Sequence, residues 1–296
     1  MTKKIAVVND LSGFGRCSLT AAISVIAAMG VQPCPVPTAV LSAQTGYPSY
    51  FCKDLTDEME LFRREWEKMD VRFDGIYTGF MSGERQIEKA MDFLRAFKRK
   101  DTFLLVDPIM GDGGKRFSIF TPQFQARMTE LAEQADIITP NLTELCLLAD
   151  TDGLTAAELT GQGGILPDQE KAAASAEQMA RRVMSRGPKE VVVTGLRFSD
   201  RQTGKEKMAN LTVTEKAAIL SSRTFIGESY SGTGDLMASV IAGGKARGDS
   251  VEDTVELAGE MIARAIKDSV RDKVQRNEGV EYEKYLWMLT NLSLPE

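Results

Sequence analysis

The chain has 296 residues, enough for one large α/β domain or two small ones, with a substantial core. Hydrophobic residues make up 43% of the sequence and charged residues 26%, and the formal net charge is −6. This composition is typical of a soluble globular protein and argues against a nucleic-acid-binding or membrane-spanning one. The sequence contains no histidine. Histidine-based triads and histidine metal ligands are therefore excluded, and any catalysis must use carboxylates, hydroxyls, lysines or thiols.

The four cysteines predict a reducing environment. They stand far apart, at positions 17, 34, 52 and 146, and form no C-x-x-C pair. The N-terminus has too short an apolar run for a secretory leader, and the longest apolar stretch, residues 21–31, is too short to cross a bilayer. We therefore expect reduced thiols in a cytoplasmic protein that contacts neither membrane nor nucleic acid.

Short apolar segments alternate with longer amphipathic ones along the whole chain. The apolar segments predict strands at 4–9, 34–41, 75–80, 102–108, 135–141 and 190–195. The amphipathic segments predict helices at 18–30, 56–69, 83–100, 143–150 and 170–186, then two more after residue 235. Thr56 is the predicted N-cap of the second helix. Residues 207–225 predict a hairpin that turns at 214–217, and residues 151–170 predict the loosest loop.

This alternation predicts the fold class. Strands that alternate with helices form a mostly parallel central sheet with helices on both faces, an α/β fold. No repeat or change of composition marks a second domain, so we expect one domain over 1–296. In such sheets ligands bind beyond the carboxyl ends of the strands. Polar residues follow nearly every predicted strand, at Asn9, Asp10 and Ser12, and in segments 42–47, 78–83, 107–114, 139–144, 194–197 and 232–235.

The stretch "VDPIMGDGGK" favours a magnesium and phosphate site. Asp107 and Asp112 are hard carboxylates that can hold a cation through water while a nucleotide supplies phosphate oxygens. Glycines at 111, 113 and 114 let the backbone approach phosphates closely. The alternative is structural: Asp107 only caps a turn at the end of a strand.

The stretch "TPNLTEL" permits two interpretations. Asn141 and Glu144 stand one helical turn apart, so both can face one metal-bound triphosphate. Alternatively, Pro140 ends a strand and Asn141 or Thr143 caps the following helix.

The stretch "ESYSGTGDLMASV", residues 228–240, places an acid at a glycine turn where a helix is predicted to begin. The N–H groups of residues 232–235 are first-turn donors, and such groups form an anion site that suits a transferring phosphoryl group. Asp235 would take a proton from an attacking hydroxyl, or it would only cap the helix. The stretch is not a Walker A motif, and the protein-kinase motifs are absent from the sequence.

Six of these stretches together resemble a known family. "DPIMGD", "TPNLTE" and the late "GTGD", in that order, resemble the ribokinase-like superfamily. "VVNDLSGFG", "SAQTGY" and "YTGFMSG" are similar to its pyridoxal kinase branch, and the resemblance covers essentially the whole chain. It implies ATP-dependent phosphorylation of the 5′-hydroxymethyl group of pyridoxal and related vitamin B6 vitamers. It further implies Mg²⁺, a monovalent cation (K⁺ or Na⁺) and a homodimer.

The resemblance also implies roles for individual residues. Asp235 is the expected catalytic base, and Gly232, Thr233 and Gly234 form the expected anion hole. The residues expected at the vitamer are Ser12, Gln44, Thr45, Tyr47, Phe80 and Asp235. Those expected at ATP are Asp107, Asp112, Asn141, Glu144, Thr194, Gly232 and Gly234. Those expected at the cations are Asp107, Thr139 and Glu144.

Two other kinds of function remain open on the sequence: another kinase of the superfamily, with hydroxymethylpyrimidine as the first alternative acceptor and a sugar or nucleoside as the second, or a binding protein. Gln44 stands where close pyridoxal kinases often have histidine, which leaves room for a hydroxymethylpyrimidine kinase of thiamine synthesis. A protein that binds nucleotide or vitamer without turnover is the second alternative, although the intact Asp107, Glu144 and Asp235 argue against it. We further predict that the segment 197–230, which contains the hairpin, covers ATP and moves when it binds.

Overall fold

The computed structural model describes residues 1–150, 169–200, 204–227 and 229–290. The strands are β1 (Lys4–Ser12), β2 (Gln32–Leu41), β3 (Cys52–Asp54), β4 (Gly75–Thr78), β5 (Phe103–Val106), β6 (Gly111–Asp112), β7 (Lys115–Arg116), β8 (Ile137–Ile138), β9 (Glu190–Ser199), β10 (Glu206–Val213) and β11 (Ala218–Thr224). The helices are α1 (Ser18–Ala28), α2 (Thr56–Lys68), α3 (Glu84–Phe97), α4 (Pro122–Ala132), α5 (Leu142–Ala149), α6 (Gln169–Met184), α7 (Thr233–Arg247) and α8 (Val251–Arg271). Short 3₁₀ helices follow at Arg276–Glu278 and Tyr282–Thr290.

The chain divides into two compact units, and the first contains both ends of the chain. This first unit comprises Met1–Leu104 and Ile226–Glu296. Its strands lie in the order β4-β1-β2-β3. β1 is parallel to both β2 and β4, whereas the short β3 pairs antiparallel with β2 at the edge. Helix α1 packs on β1 and β2 and against α7, and α7 packs against α8.

β1 is apolar without alternation because both of its faces are covered. Its residues from Ile5 to Val8 are at most 1% exposed, as expected for a parallel strand between helical layers. The apolar run ends at Asn9, and polar Asn9, Asp10 and Ser12 stand in the last four positions of the strand, with Leu11 between the last two of them. The carboxyl end of β1 therefore presents polar side chains.

The second unit comprises Leu105–Phe225. Its strands lie in the order β11-β10-β9-β8-β5. β5, β8 and β9 are parallel to one another, whereas β9, β10 and β11 form an antiparallel meander. β6 and β7 form a separate two-stranded hairpin. Helix α6 packs against α5, β9 and β10.

The predicted fold class is confirmed: the chain is α/β, with mostly parallel strands flanked by helices. The predicted hairpin is confirmed as β10 and β11, and the Thr214 N–H donates to the Ala217 carbonyl across its turn at 2.8 Å. The predicted loop 151–170 lies outside the described residues except for its last two, which begin α6. The single domain over 1–296 stays a prediction.

The predicted N-cap at Thr56 is wrong. Thr56 is already helical, and the preceding Leu55 occupies the cap position. The Asp54 carboxylate does the capping instead, since it accepts hydrogen bonds from the Thr56 N–H at 2.8 Å and from its hydroxyl at 2.5 Å. The Asp54 carboxylate can accept from both groups at once, and the Thr56 hydroxyl is used as a donor to it rather than as an acceptor for later N–H groups of the helix.

Within the described ranges, no helix is both long enough and apolar enough to cross a bilayer.

Candidate active site

The glycine turn before α7 has the geometry of an anion site. Gly232 is the N-cap, with φ of 84°, and the first intrahelical bond runs from the Leu236 N–H to the Gly232 carbonyl at 3.0 Å. The N–H groups that precede Leu236 therefore have no acceptor within the helix. A Cβ on Gly232 would also overlap the Arg16 carbonyl. Only glycine combines this positive φ with this close approach.

Asp235 lies in the first turn of α7, but it does not cap the helix. No side-chain cap bond is present at this end of α7. The Asp235 carboxylate instead accepts hydrogen bonds from the Asn9 side-chain amide, at 3.3 Å, and from the Ser18 N–H. The capping alternative for Asp235 is therefore wrong, and its carboxylate is held by donors from β1 and α1.

The surroundings of Asp235 suit a general base. The pKa of its carboxyl is raised from 3.8 to about 6, mainly by burial. The hydrogen bonds from the Ser18 N–H and the Asn9 amide lower this pKa, and the nearby Asp10 carboxylate raises it. A base with a pKa near neutrality both accepts a proton readily and is largely ionised at pH 7. Ser18, one of the two donors, has a positive φ of 50°. Such backbone strain outside glycine clusters at functional sites.

Ser12 and Asp10 form a buried pair beside this carboxylate. The Ser12 hydroxyl donates to Asp10 Oδ2 at 2.8 Å. Ser12 is 1% exposed and Asp10 5%. Burial raises the pKa of the Asp10 carboxyl, opposed by hydrogen bonds from Ser18 and Ser12. The Ser12 hydroxyl is thus already used within the protein, and its predicted contact with the vitamer ring stays a prediction.

Gln44 is bonded to the surrounding backbone. Its Nε2 donates to the Asn277 carbonyl at 3.1 Å, and its Oε1 accepts from the Gly46 N–H at 2.7 Å. Asn277 in turn donates to the Gly46 carbonyl at 2.7 Å. The amide of Gln44 therefore fastens its loop to the 3₁₀ helix at Arg276–Glu278. Its predicted vitamer contact stays a prediction.

The remaining predicted vitamer residues also lie in the first unit. The Tyr47 ring packs against Phe14 with 5.7 Å between ring centroids, and Thr45 is exposed. Phe80 follows β4 and is partly exposed; its N–H donates to Asn9 Oδ1 at 2.8 Å. Asn9 therefore links the Phe80 backbone to Asp235.

In the second unit, two of the predicted nucleotide residues, Asp107 and Asn141, lie beside the buried Glu144 carboxylate. Glu144 Oε2 accepts from the Asn141 N–H at 2.8 Å, and Oε1 accepts from the Met110 N–H at 3.2 Å. Burial and the nearby Asp107 carboxylate raise the pKa of Glu144 well above its ordinary value. The Thr139 hydroxyl donates to Asp107 Oδ1 at 2.9 Å. A cation would relieve the repulsion between the two carboxylates.

Asn141 is the N-cap of α5, as one of the two interpretations predicts. Its Oδ1 accepts from the Glu144 N–H at 3.0 Å, and with Glu144 it forms a complete capping box. Its Nδ2 donates to the Gly111 carbonyl at 2.8 Å. Thr194 lies beside Asn141, to which it is joined by a parallel β-bridge. The Thr194 N–H donates to the Pro140 carbonyl at 2.9 Å. Their contacts with ATP stay predictions.

Asp112 differs from Asp107 in its surroundings. Asp112 is exposed in the β6–β7 hairpin, where its carboxylate accepts from the Gly113 N–H, whereas Asp107 is 7% exposed. Among the described residues, no group of three or more histidine, cysteine, aspartate or glutamate side chains is arranged to hold a metal ion. Magnesium needs only one or two carboxylates when phosphates and water supply the other ligands, and Asp107 and Glu144 fit that mode.

Sequence reasoning named Asn9 and Asp10 only as polar residues at the predicted ligand edge, without a role, and it did not single out Ser18. Asn9 and Asp10 stand at the end of a predicted strand, which is the position where polar residues are expected to be functional. No sequence feature distinguishes Ser18, because its contribution is a backbone N–H rather than a side-chain type.

Comparison with known proteins now adds the family. The sequence profile of the phosphomethylpyrimidine kinase family matches residues 15–280. The chain belongs to this family. The chain is similar to a protein of Rubrobacter xylanophilus named pyridoxal kinase, with 27% identity over 90% of this chain and 88% of that protein.

Two solved structures from Bacteroides thetaiotaomicron are more similar to this chain. Both are provisionally described as phosphomethylpyrimidine kinases and are 34% identical to it. One has a TM-score of 0.86 and covers 100% of this chain and 95% of its own. The other was crystallised with pyridoxal, has a TM-score of 0.85, and covers 98% of this chain and 96% of its own. The predicted ribokinase-like fold and the predicted kinase class are confirmed.

Proposed function

We propose that this chain is a kinase that transfers the γ-phosphate of ATP to the 5′-hydroxymethyl group of pyridoxal and related vitamin B6 vitamers. The observation that carries the proposal is the half-buried Asp235 carboxylate, held by Asn9 and Ser18 next to the first-turn N–H groups of α7. A base and an anion site side by side are what phosphoryl transfer to an alcohol requires. The similarity to a pyridoxal kinase and to a structure containing pyridoxal supports the vitamer as acceptor.

The reaction follows from these groups. The vitamer hydroxyl oxygen attacks the γ-phosphorus, and the bond from that phosphorus to the bridging oxygen of ATP breaks, so that ADP leaves. The hydroxyl proton passes to the Asp235 carboxylate. The N–H groups of Gly232, Thr233 and Gly234 stabilise the negative charge on the transferring phosphoryl oxygens. Ser12, Gln44, Thr45, Tyr47 and Phe80 are the proposed contacts of the vitamer.

We propose that residues of the second unit bind the nucleotide. Asp107 and Glu144 would hold Mg²⁺, which neutralises phosphate charge when bound, and Thr139 with Asp107 would adjoin the monovalent cation, K⁺ or Na⁺. Asn141, Thr194 and Asp112 are the further proposed nucleotide contacts. The two neighbouring buried carboxylates support a cation there, because a bound cation would offset their mutual repulsion.

A second candidate function is phosphorylation of hydroxymethylpyrimidine. The family description and the names of the two similar Bacteroides structures favour it. The same base and anion site would serve that acceptor, which also presents a hydroxymethyl arm on a ring. Only the identity of the acceptor separates the two functions.

We further propose a single functional domain over 1–296, a cytoplasmic location and a homodimer. The location is supported by the four cysteines, Cys17, Cys34, Cys52 and Cys146, all of which are free thiols. The dimer is supported only by the family resemblance.

The test is ADP release by the purified protein with MgATP and K⁺, with pyridoxal, pyridoxamine, pyridoxine or hydroxymethylpyrimidine as acceptor. We expect turnover with at least one B6 vitamer well above the rate without acceptor. Turnover with hydroxymethylpyrimidine alone would replace the proposed acceptor but keep the mechanism. ATP binding without ADP release for any acceptor would identify a binding protein and contradict the proposal.

A further inference from the structure

Asn9 has a fully determined side-chain orientation. It is 0% exposed, and its Oδ1 accepts from the Asp10 N–H at 2.9 Å and the Phe80 N–H at 2.8 Å. Only the carbonyl end of an amide can accept two N–H donors. These two backbone groups therefore fix which end of the amide is oxygen and which is nitrogen.

The nitrogen end of this amide then faces Asp235. Nδ2 lies 3.3 Å from Asp235 Oδ1. On the other side the amide packs against Gly79, where a Cβ would overlap it. The amide cannot turn over without breaking both backbone bonds, so it presents a donor and never an acceptor to the carboxylate.

We propose that Asn9 is a positioning residue for phosphoryl transfer: its fixed amide orients the Asp235 carboxylate and stabilises its negative charge. The proposal rests on the proposed function, in which Asp235 is the base. It adds that β1 supplies a dedicated donor to that base, 226 positions away in the sequence.

The other groups around Asp235 make this donor important. The Asp10 carboxylate of β1 repels the Asp235 carboxylate and so raises its pKa. The Asp235 carboxylate in turn raises the pKa of the buried Cys17 thiol at the start of α1. Burial also disfavours the charge. Asn9 and the Ser18 N–H oppose these effects.

A purely structural role for Asn9 is the alternative to exclude. Asn9 Oδ1 accepts a hydrogen bond from the Phe80 N–H. The Thr38 hydroxyl donates to the carbonyl of the same residue, Phe80, at 3.0 Å. Thr38 is also 0% exposed. Thr38→Val thus removes a buried bond to Phe80 without changing the donor to Asp235, and it serves as the matched control.

The experiment compares wild type, Asn9→Asp and Thr38→Val. The first readout is the pH dependence of kcat and KM for pyridoxal, and the second is a ¹³C-carboxyl NMR titration of Asp235, assigned with Asp235→Asn. We expect the wild-type kcat to fall below a midpoint near pH 6 as Asp235 becomes protonated. Asn9→Asp keeps both backbone bonds but places a carboxyl oxygen against Asp235.

In Asn9→Asp the two carboxyl groups share a proton, so the midpoint should move up by about one pH unit or more in both readouts. The KM should change little. Thr38→Val should lower Tm and leave the midpoint unchanged. An unchanged midpoint in Asn9→Asp would overturn the proposal, as would equal shifts in Asn9→Asp and Thr38→Val.

Asn9→Ser covers the case in which Asn9→Asp does not fold. It removes the amide donor without adding charge, and we expect a smaller upward shift of the Asp235 midpoint; no shift would again overturn the proposal. If the wild type phosphorylates no vitamer, the proposed function fails, while the NMR titration still decides the effect of Asn9 on Asp235.

Discussion

Asp235 illustrates how two local effects compete at one residue. The N-terminus of a helix favours a carboxylate by about 0.3–1 kcal/mol, which by itself would lower its pKa. Burial acts in the opposite direction and raises the pKa from 3.8 to about 6, a shift that corresponds to about 3 kcal/mol against the ionised form. Burial prevails, and the resulting pKa near neutrality suits the proposed role of Asp235 as a base.

Replacing the base tests its role directly. We expect Asp235→Asn to lower kcat for the preferred vitamer by about 10²–10⁴-fold, because general-base catalysis typically contributes that much. The amide has the same shape but accepts no proton. The measurement is steady-state ADP release at pH 7.5, and a loss smaller than tenfold would contradict the role of Asp235.

Stability provides the control for this variant. The pKa of Asp235 is raised, so the folded state binds the proton of this carboxyl more tightly than the unfolded state does. The free energy of unfolding therefore falls as pH rises from 3.8 to about 6, because the folded protein loses that proton. Above that range the ionised group destabilises the fold. Asp235→Asn should therefore have an equal or higher Tm at pH 7.5, which separates lost catalysis from unfolding.

At the scale of the elements, the two glycines of "GTGD" have different roles. Gly232 has a positive φ and touches the Arg16 carbonyl, whereas Gly234 lies in the first turn of α7, where an added Cβ would have no neighbour within 4 Å. The first glycine is required by the backbone, while the second is required, if at all, by a ligand. The sequence motif does not reveal this difference.

Alanine substitutions at Gly232 and Gly234 should reveal this difference between the two glycines. Gly232→Ala should lower the Tm, because it combines a strained φ with a backbone overlap, each costing on the order of 1 kcal/mol or more. Gly234→Ala should leave the Tm unchanged or raise it slightly, because alanine favours helix over glycine. The measurement is thermal unfolding without ligands, and equal Tm losses in the two variants would contradict this assignment.

At the scale of the whole molecule, each unit contains a different part of the predicted chemistry. The first unit contains Asp235 with Asn9 and Ser18, and the second contains Asp107 and Glu144. The second unit also contains the hairpin of β10 and β11, which belongs to the segment predicted to cover ATP. Ligands specific to one unit should therefore protect that unit.

Limited proteolysis tests the hairpin. We expect MgATP to slow tryptic cleavage at Lys207, Lys216 and Arg223, because binding that orders a segment suppresses its local opening. Pyridoxal alone should not slow it. Cleavage after Lys68 at the exposed end of α2 is the internal control and should not respond to MgATP. Equal cleavage of the hairpin with and without nucleotide would contradict the prediction.

The order of strands and helices was predictable because it depends on local periodicity. Uninterrupted apolar runs such as that of β1 indicate strands covered on both faces, and polar residues at their ends indicate the ligand edge. The short β3 and α4 were not predicted. The three exposed residues of β3 show no alternation, and its pairing with β2 is decided by the partner strand.

By itself, the sequence determined the α/β class, the kinase motifs and Asp235 as the candidate base, because these depend on residue type and spacing. Only the tertiary structure decided what each polar group is bonded to. It placed the Gln44 amide on the Asn277 carbonyl and the Asn9 amide on Asp235. Hydrogen bonds between residues distant in the chain depend on how strands and helices pack, and local sequence does not encode that packing.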